Sequence, residues 1–214
     1  MNLSIEKYTL LRDRWPPAGQ QVIAQHTAEE VVVYQAYKHS IADFAVRHQY
    51  FGGSEYSYQR MSWIKPNFLW MMYRCGWAEK PNQERVLALW ISKGVLRDIL
   101  SQAVITAFDP DFYSDSTTWK QDLESKDVRL QWDPDHDPYG VKQSRRAIQL
   151  GLKASALGRF AKEQIHRIED ITDFVRVQKQ HVDARRLDLL EVPVETVWSI
   201  GDADLEKRIG IANR

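Results

Sequence analysis

SWIKPNFLWMMYRCGWAEKPNQE, residues 62–84, decides how this chain is read. Met61 to Ile64 is short, apolar and strand-like, and Pro66 follows at once. Proline suits the first position of a helix, where its missing N–H costs nothing, and Gly76 stands where a left-handed C-terminal cap would fall. Between them Phe68, Leu69, Trp70, Met71, Met72 and Tyr73 put apolar surface almost all the way round. A helix apolar on every side is a buried one, so the helix at about 66–75 is expected at the centre of the fold. Its N-terminal end, with free N–H groups and the positive pole of the helix dipole, is expected to favour an anion.

Working upstream, VVVYQAY at 31–37 is β-branched and aromatic and reads as a buried strand. Ser40 and Asp43 have the spacing of a capping box, Ile41, Phe44, Ala45 and His48 follow helical periodicity, and Gly52-Gly53 closes the unit. Downstream, VLALWI at 86–91 is another strand, and Ser92 caps a helix whose inner face is Val95, Leu96, Ile99, Leu100 and Ala103. A loop-rich stretch, FDPDFYSDSTTW, carries a short helix near Trp119. Val128, Leu130 and Trp132 alternate with polar residues as in a half-buried strand, a turn spans Asp133 to Gly140, and Ala147–Leu152 is a further strand. Leu157, Phe160, Ala161, Ile165 and Ile168 mark a helix, and Thr172 begins another reaching about Leu190. Strands alternating with helices predict a single α+β (or α/β) domain with a mixed central sheet and packed helices. The expected divisions are an irregular N-terminal arm over 1–30, a core over 31–192 and a polar, peripheral segment over 193–214.

Composition sets the class. The chain has 214 residues, 43% hydrophobic and 27% charged, enough for a true core. Twenty-nine Lys and Arg balance 29 Asp and Glu, which argues against a general nucleic-acid or membrane binder. Cys75 is the only cysteine, so no internal disulfide forms. The first residues carry charges where a signal peptide needs an apolar centre, and no apolar run approaches a membrane span, so the expectation is a cytoplasmic protein without membrane contact.

The usual catalytic signatures are absent: no GxSxG, no P-loop, no GxGxxG. DPDHDP at 133–138 resembles a calcium loop, but the sixth and twelfth positions hold Pro138 and Ser144 instead of Gly and Glu, so it reads as an acidic surface turn. The histidines at 26, 39, 48, 136, 166 and 181 form no zinc spacing, and no metal is expected. His48 and His166 lie on or near apolar helix faces and read as packed residues. Cys75 lies beside Arg74 but at a helix C-terminus, where the dipole disfavours a thiolate, and reads as buried and inert. The cations around the central helix are more informative. Arg60 and Lys65 flank the strand, and Arg74 is the only charge inside the helix. Buried cations need carboxylates, for which Glu79 and Glu84 are available, or anionic ligand groups such as a pyrophosphate. With Tyr34, Trp63 and Tyr73 as stacking faces, the chemistry suits a nucleotide.

QRMSWIKPNFLWMMYRCGWAEKPNQERVLAL resembles the hallmark of the family catalogued as domain of unknown function 4291. VYQAY, VRLQWDPDHD and RRAIQLGL resemble the same family, so the likeness runs from about Val31 to Asp173. Cys75 departs from it, since the family pattern would have serine there. The order of elements is also similar to that of small ADP-ribosyltransferases, especially those that modify DNA. That likeness implies NAD as cofactor, with Gln35 or Tyr37 and Arg60 binding it, and a catalytic position at Gln149. The amide of Gln149 departs from the glutamate those enzymes use and cannot act as a base.

These observations give an expected function: an ADP-ribosyltransferase-like, nucleotide-handling enzyme binding NAD or a related dinucleotide near the start of the 66–75 helix. Tyr34, Gln35, Tyr37, Arg60, Trp63, Lys65 and Arg74 form its binding set, with Gln149 orienting a ribose hydroxyl. Nucleic acid is a candidate substrate. The alternative is a non-catalytic nucleic-acid module in which Trp63 and Trp77 stack on bases while Arg60, Lys65, Arg145 and Arg146 meet phosphates. A protein-interaction domain is the third reading.

Overall fold

The computed structural model describes residues 1–110 and 112–211. Position 111, in the loop-rich stretch, and the final three positions of the expected peripheral segment lie outside the described residues.

The chain begins with β1 (Ile5–Lys7), α1 (Tyr8–Leu11), β2 (Gly19–Gln20) and β3 (Ile23–Ala24). The central unit follows: β4 (Glu30–Tyr37), α2 (His39–His48), β5 (Ser62–Ile64), α3 (Phe68–Cys75), β6 (Arg85–Ser92), α4 (Lys93–Ser101) and β7 (Ala103–Ile105). Next come α5 (Ser116–Ser125), β8 (Val128–His136), β9 (Lys142–Leu152), α6 (Ala154–Arg159), β10 (Ile165–Asp170) and α7 (Thr172–Asp183). The chain closes with β11 (Glu191–Pro193), β12 (Thr196–Val197) and α8 (Ala203–Arg208). It is an α+β domain.

Besides two short pairs, β1-β11 and β12-β3, there are two larger sheets, of which one is antiparallel, in the order β10-β6-β4. The other is mixed: β8 pairs antiparallel with β9 and parallel with β7, while β5 (antiparallel) and β2 (parallel) both pair with β9. The two sheets meet at one bridge, where Tyr34 N donates to Lys65 O at 2.7 Å and Lys65 N donates to Tyr34 O at 3.2 Å.

The unbroken apolar run of β4 has a physical reason: both faces are covered. Val31 and Val33 join Leu87, Leu89 and Ile91 of β6 in a core shared with α2, α4, β8 and β9. Val32 and Tyr34 join Val86, Ala88 and Trp90 in a second core built around α3 and α7. The central helix is therefore buried as its sequence demands, with only Tyr73 and Arg74 exposed. It starts two residues after Pro66, because Asn67 is the cap: its Oδ1 accepts from Trp70 N at 2.9 Å. It ends at Gly76, which is left-handed (φ 59°).

Several local expectations give way. α2 has Lys38 at its N-cap position with no side-chain capping bond and ends at left-handed Gln49, while Ser40 bonds Glu55 instead of forming a capping box. The helix expected through Ile168 ends early in a π turn at Phe160–Gln164, and Ile165 and Ile168 belong to β10. The helix from Thr172 stops at Asp183. The first thirty residues pack instead of trailing as an arm: Leu3, Tyr8, Leu11 and Trp15 are buried in the second core. Trp198, Ile200, Leu205 and Ile209, expected to be peripheral, are buried in the first.

Trp70 is 6% exposed and stacks on Tyr73 and His136. Trp70→Ala should lower unfolding stability by about 3–5 kcal/mol, read from denaturant melts. A loss below about 1 kcal/mol would mean that α3 is not a core helix.

Candidate functional site

A cleft of about 730 Å³ lies beside the Tyr34–Lys65 bridge, within the size range of small-molecule sites. β4 gives it Gln35, Ala36 and Tyr37, and β5 with the next turn gives Ser62, Trp63 and Lys65. α3 presents its side, through Met71 and Arg74, while Arg60 and Tyr56 come from the loop after α2 and Gln131 and Gln149 from β8 and β9.

Ser62 organises one wall. Its Oγ lies 2.7 Å from Gln35 Nε2, which donates to it, and 2.7 Å from the Tyr37 hydroxyl. Gln35 Nε2 also donates to Trp63 O at 3.2 Å, so side chains tie β4 to β5 past the single backbone bridge. Burial pushes the Tyr37 phenol upward. Trp63 is fixed from behind, because it lies against Gly151. A Cβ at Gly151 would come within 3.0 Å of the indole and 2.7 Å of Met61 Sδ, so only glycine lets the ring lie there.

Asp133 organises the opposite wall. Gln131 and Asp133 are two apart on β8 and share a face, and Gln149 pairs directly with Gln131. Gln131 Nε2 donates to Asp133 Oδ1 at 2.8 Å, and Gln149 Nε2 donates to Oδ2 at 2.7 Å. One carboxylate thus holds both amide NH₂ groups, leaving the carbonyl oxygens as acceptors.

Among the cations of the cleft, the buried Lys65 is the unusual one. Arg60, Lys65 and Arg74 line the cleft, and among the described residues none has a carboxylate within 4.0 Å. Glu55, the acid in the lining, is taken by Lys38 at 2.7 Å. Lys65 is 4% exposed, and among the described residues its Nζ reaches only the Trp63 carbonyl, at 3.4 Å. Burial, and then the neighbouring Arg74 charge, lower its pKa to about 8.

The structure brings Gln35, Tyr37, Arg60, Trp63, Lys65, Arg74 and Gln149 to one cleft. It removes Tyr34, which is fully buried on the other face of β4 and packs edge-on against Phe68 at 5.6 Å. Tyr73 likewise stacks on His136 at 3.5 Å instead of facing the cleft. Glu79 and Glu84 do not serve the cations: Glu79 lies 3.9 Å from Lys179, and Glu84 accepts from Asn82 N. The place expected for an anion at the start of α3 is filled by the protein's own Glu195, whose Oε1 accepts from Phe68 N at 2.7 Å and whose burial pushes its pKa well above the usual carboxylate range. The cleft therefore meets the side of α3 and not its end.

The acidic surface turn is also corrected. β8 continues through Asp133–His136, with Asp135 buried and paired to Arg145 Nε at 2.6 Å. Among the described residues no group of three His, Cys, Asp or Glu could hold a metal ion. Cys75 is fully buried, and burial raises its thiol pKa. No helix among the described residues is long and apolar enough to cross a membrane.

A sequence model of a domain of unknown function, DUF4291, matches residues 21–198. The chain belongs to that family. No curated protein matches it. The DUF4291 region takes in every residue named above as lining the cleft.

An unpaired buried lysine is a cost to folding, which the pH dependence should expose. Its folded pKa lies below the unfolded value, so the penalty is full below pH 8 and fades as pH rises from about 8 to 10.5. Lys65→Met should raise stability at pH 7 by on the order of 3 kcal/mol, with the gain vanishing towards pH 10.5. Destabilisation at pH 7 would show that the ammonium has an internal partner.

Proposed function

We propose that the DUF4291 cleft binds NAD or a related dinucleotide and that the chain is a nucleotide-handling enzyme of ADP-ribosyltransferase type. The observation that carries this reading is the set of three cations without carboxylates around one pocket. Of the three only Lys65 is buried, and proteins pair buried charge internally unless a ligand supplies the counter-charge. Arg60 and Arg74, both exposed at the cleft, would clamp the pyrophosphate through their planar forks, with Lys65 adding positive field from below. Trp63, immobilised against Gly151, would stack on a base ring.

Gln149 would act as an orienting group. Its NH₂ is committed to Asp133, so its carbonyl oxygen is the atom free to accept from a ribose hydroxyl. The reaction class would be displacement of nicotinamide from the ribose C1′ by an acceptor nucleophile, promoted by positioning and charge. The amide cannot take the acceptor's proton, which assigns that step to another base or to the acceptor itself. The nucleic-acid module is less well supported, because Arg145 is buried against Asp135 and leaves only Arg146 of that pair exposed.

Thermal unfolding with NAD, ADP-ribose and ATP tests the reading. A ligand at 100 times its Kd should stabilise the protein by about 2.7 kcal/mol. The double variant Arg60→Gln, Arg74→Gln should melt like the parent and lose the response. No shift with any of the three at millimolar concentration would overturn the proposal.

A further inference from the structure

Lys65 has features that an electrostatic anchor does not need. A phosphate-binding lysine needs its ammonium charge, yet Lys65 is almost wholly buried and, among the described residues, its amine touches only the backbone carbonyl of Trp63. Lysines in such surroundings, desolvated and beside a second cation, are the ones that attack carbonyl carbon. The groups acting on it are Arg74 and Cys75 from α3 and Asp133 from β8. Cys75 is a buried thiol, and Asp133 is occupied by the two glutamines, so Arg74 is the charge that decides the balance.

We propose that Lys65 is a carbonyl-reactive amine that forms an imine with a phosphate-bearing aldehyde held in the cleft, including the open-chain form of a phosphorylated sugar. The arginines hold the phosphate end, and the aldehyde carbon reaches Nζ. The free amine adds to that carbon, forming the C–N bond, and the proton passes to the carbonyl oxygen to give a carbinolamine. Loss of water breaks the C–O bond and leaves the imine. No oxidant or reductant is consumed. The inference goes beyond dinucleotide binding and uses the same cleft. A pKa near 8 supports it, since at pH 7.5 such a lysine holds on the order of a hundred times more free amine than an exposed one.

The test uses the intact protein, pyridoxal 5′-phosphate as probe, and borohydride to reduce any imine to a stable secondary amine, with the modified residue identified by peptide mass spectrometry. Lys65 should be labelled on the order of ten times faster than exposed Lys120 or Lys126, and inorganic pyrophosphate should protect it. Lys65→Met should abolish the fast label. Arg74→Gln, which removes one of the phosphate-holding arginines together with the charge that, after burial, lowers the Lys65 pKa, should slow labelling at pH 7.5. Labelling spread over exposed lysines, with Lys65 unmodified in natively melting protein, overturns the proposal and shows an anion-binding ammonium only. NAD binding reads the arginines and imine trapping reads the amine, so failure of one is distinguishable from failure of the other.

Discussion

Two backbone hydrogen bonds between Tyr34 and Lys65 join the two sheets, and much else depends on them. β4 is fully paired to β6 along one edge, but on its other edge it meets the second sheet only at this bridge. A continuous ladder there would close the sheet and bury the space the cleft occupies. A single bridge holds the sheets together and leaves the span to side chains. It also fixes direction: Tyr34 is driven into the core around α3, while Lys65 lines the cleft. Glu195, clamped on the first N–H of α3, anchors the helix that follows, so the lysine sits between two rigid elements.

Charge pairing is uneven across the molecule, and at the cleft it leaves a buried lysine without a carboxylate. Arg85 binds Asp43 and Asp170, Arg145 binds Asp135, and Arg14 binds Glu6. At the cleft the carboxylates are spent elsewhere: Asp133 on two glutamines and Glu55 on Lys38. An overall net charge of zero hides a local excess of positive charge. The polar groups around it are rigidly held, which lowers the entropy cost of meeting a ligand.

The sequence made some of this legible. The central helix could be read because its apolar residues surround it completely and Gly76 marks its end. The cleft residues Arg60 and Lys65 could be named because charge beside a buried helix is conspicuous, and Gln149 because the order of elements is similar to that of small ADP-ribosyltransferases. β10 was hidden by a register shift between Ile165 and Arg167. The extra residue sets Ile165 and Ile168 three apart, so a strand imitates a helical period. Pro134 made the end of β8 look like a turn, and with it Asp133 was lost as the group that orients Gln149. Trp198, Ile200, Leu205 and Ile209 lie in segments too short to show a sustained period, since Leu205 and Ile209 mark a single turn at the end of α8 and Trp198 and Ile200 belong to no element. Tyr34 shows a different limit: in a strand covered on both faces, composition does not say which residues face the cleft.

The most direct test of the account is a crystal structure of the protein with ADP-ribose. The account predicts the pyrophosphate between Arg60 and Arg74, a ring against Trp63, and a ribose hydroxyl within hydrogen-bond distance of the Gln149 carbonyl oxygen. Ligand bound elsewhere, with Arg60, Lys65 and Arg74 untouched, would contradict it.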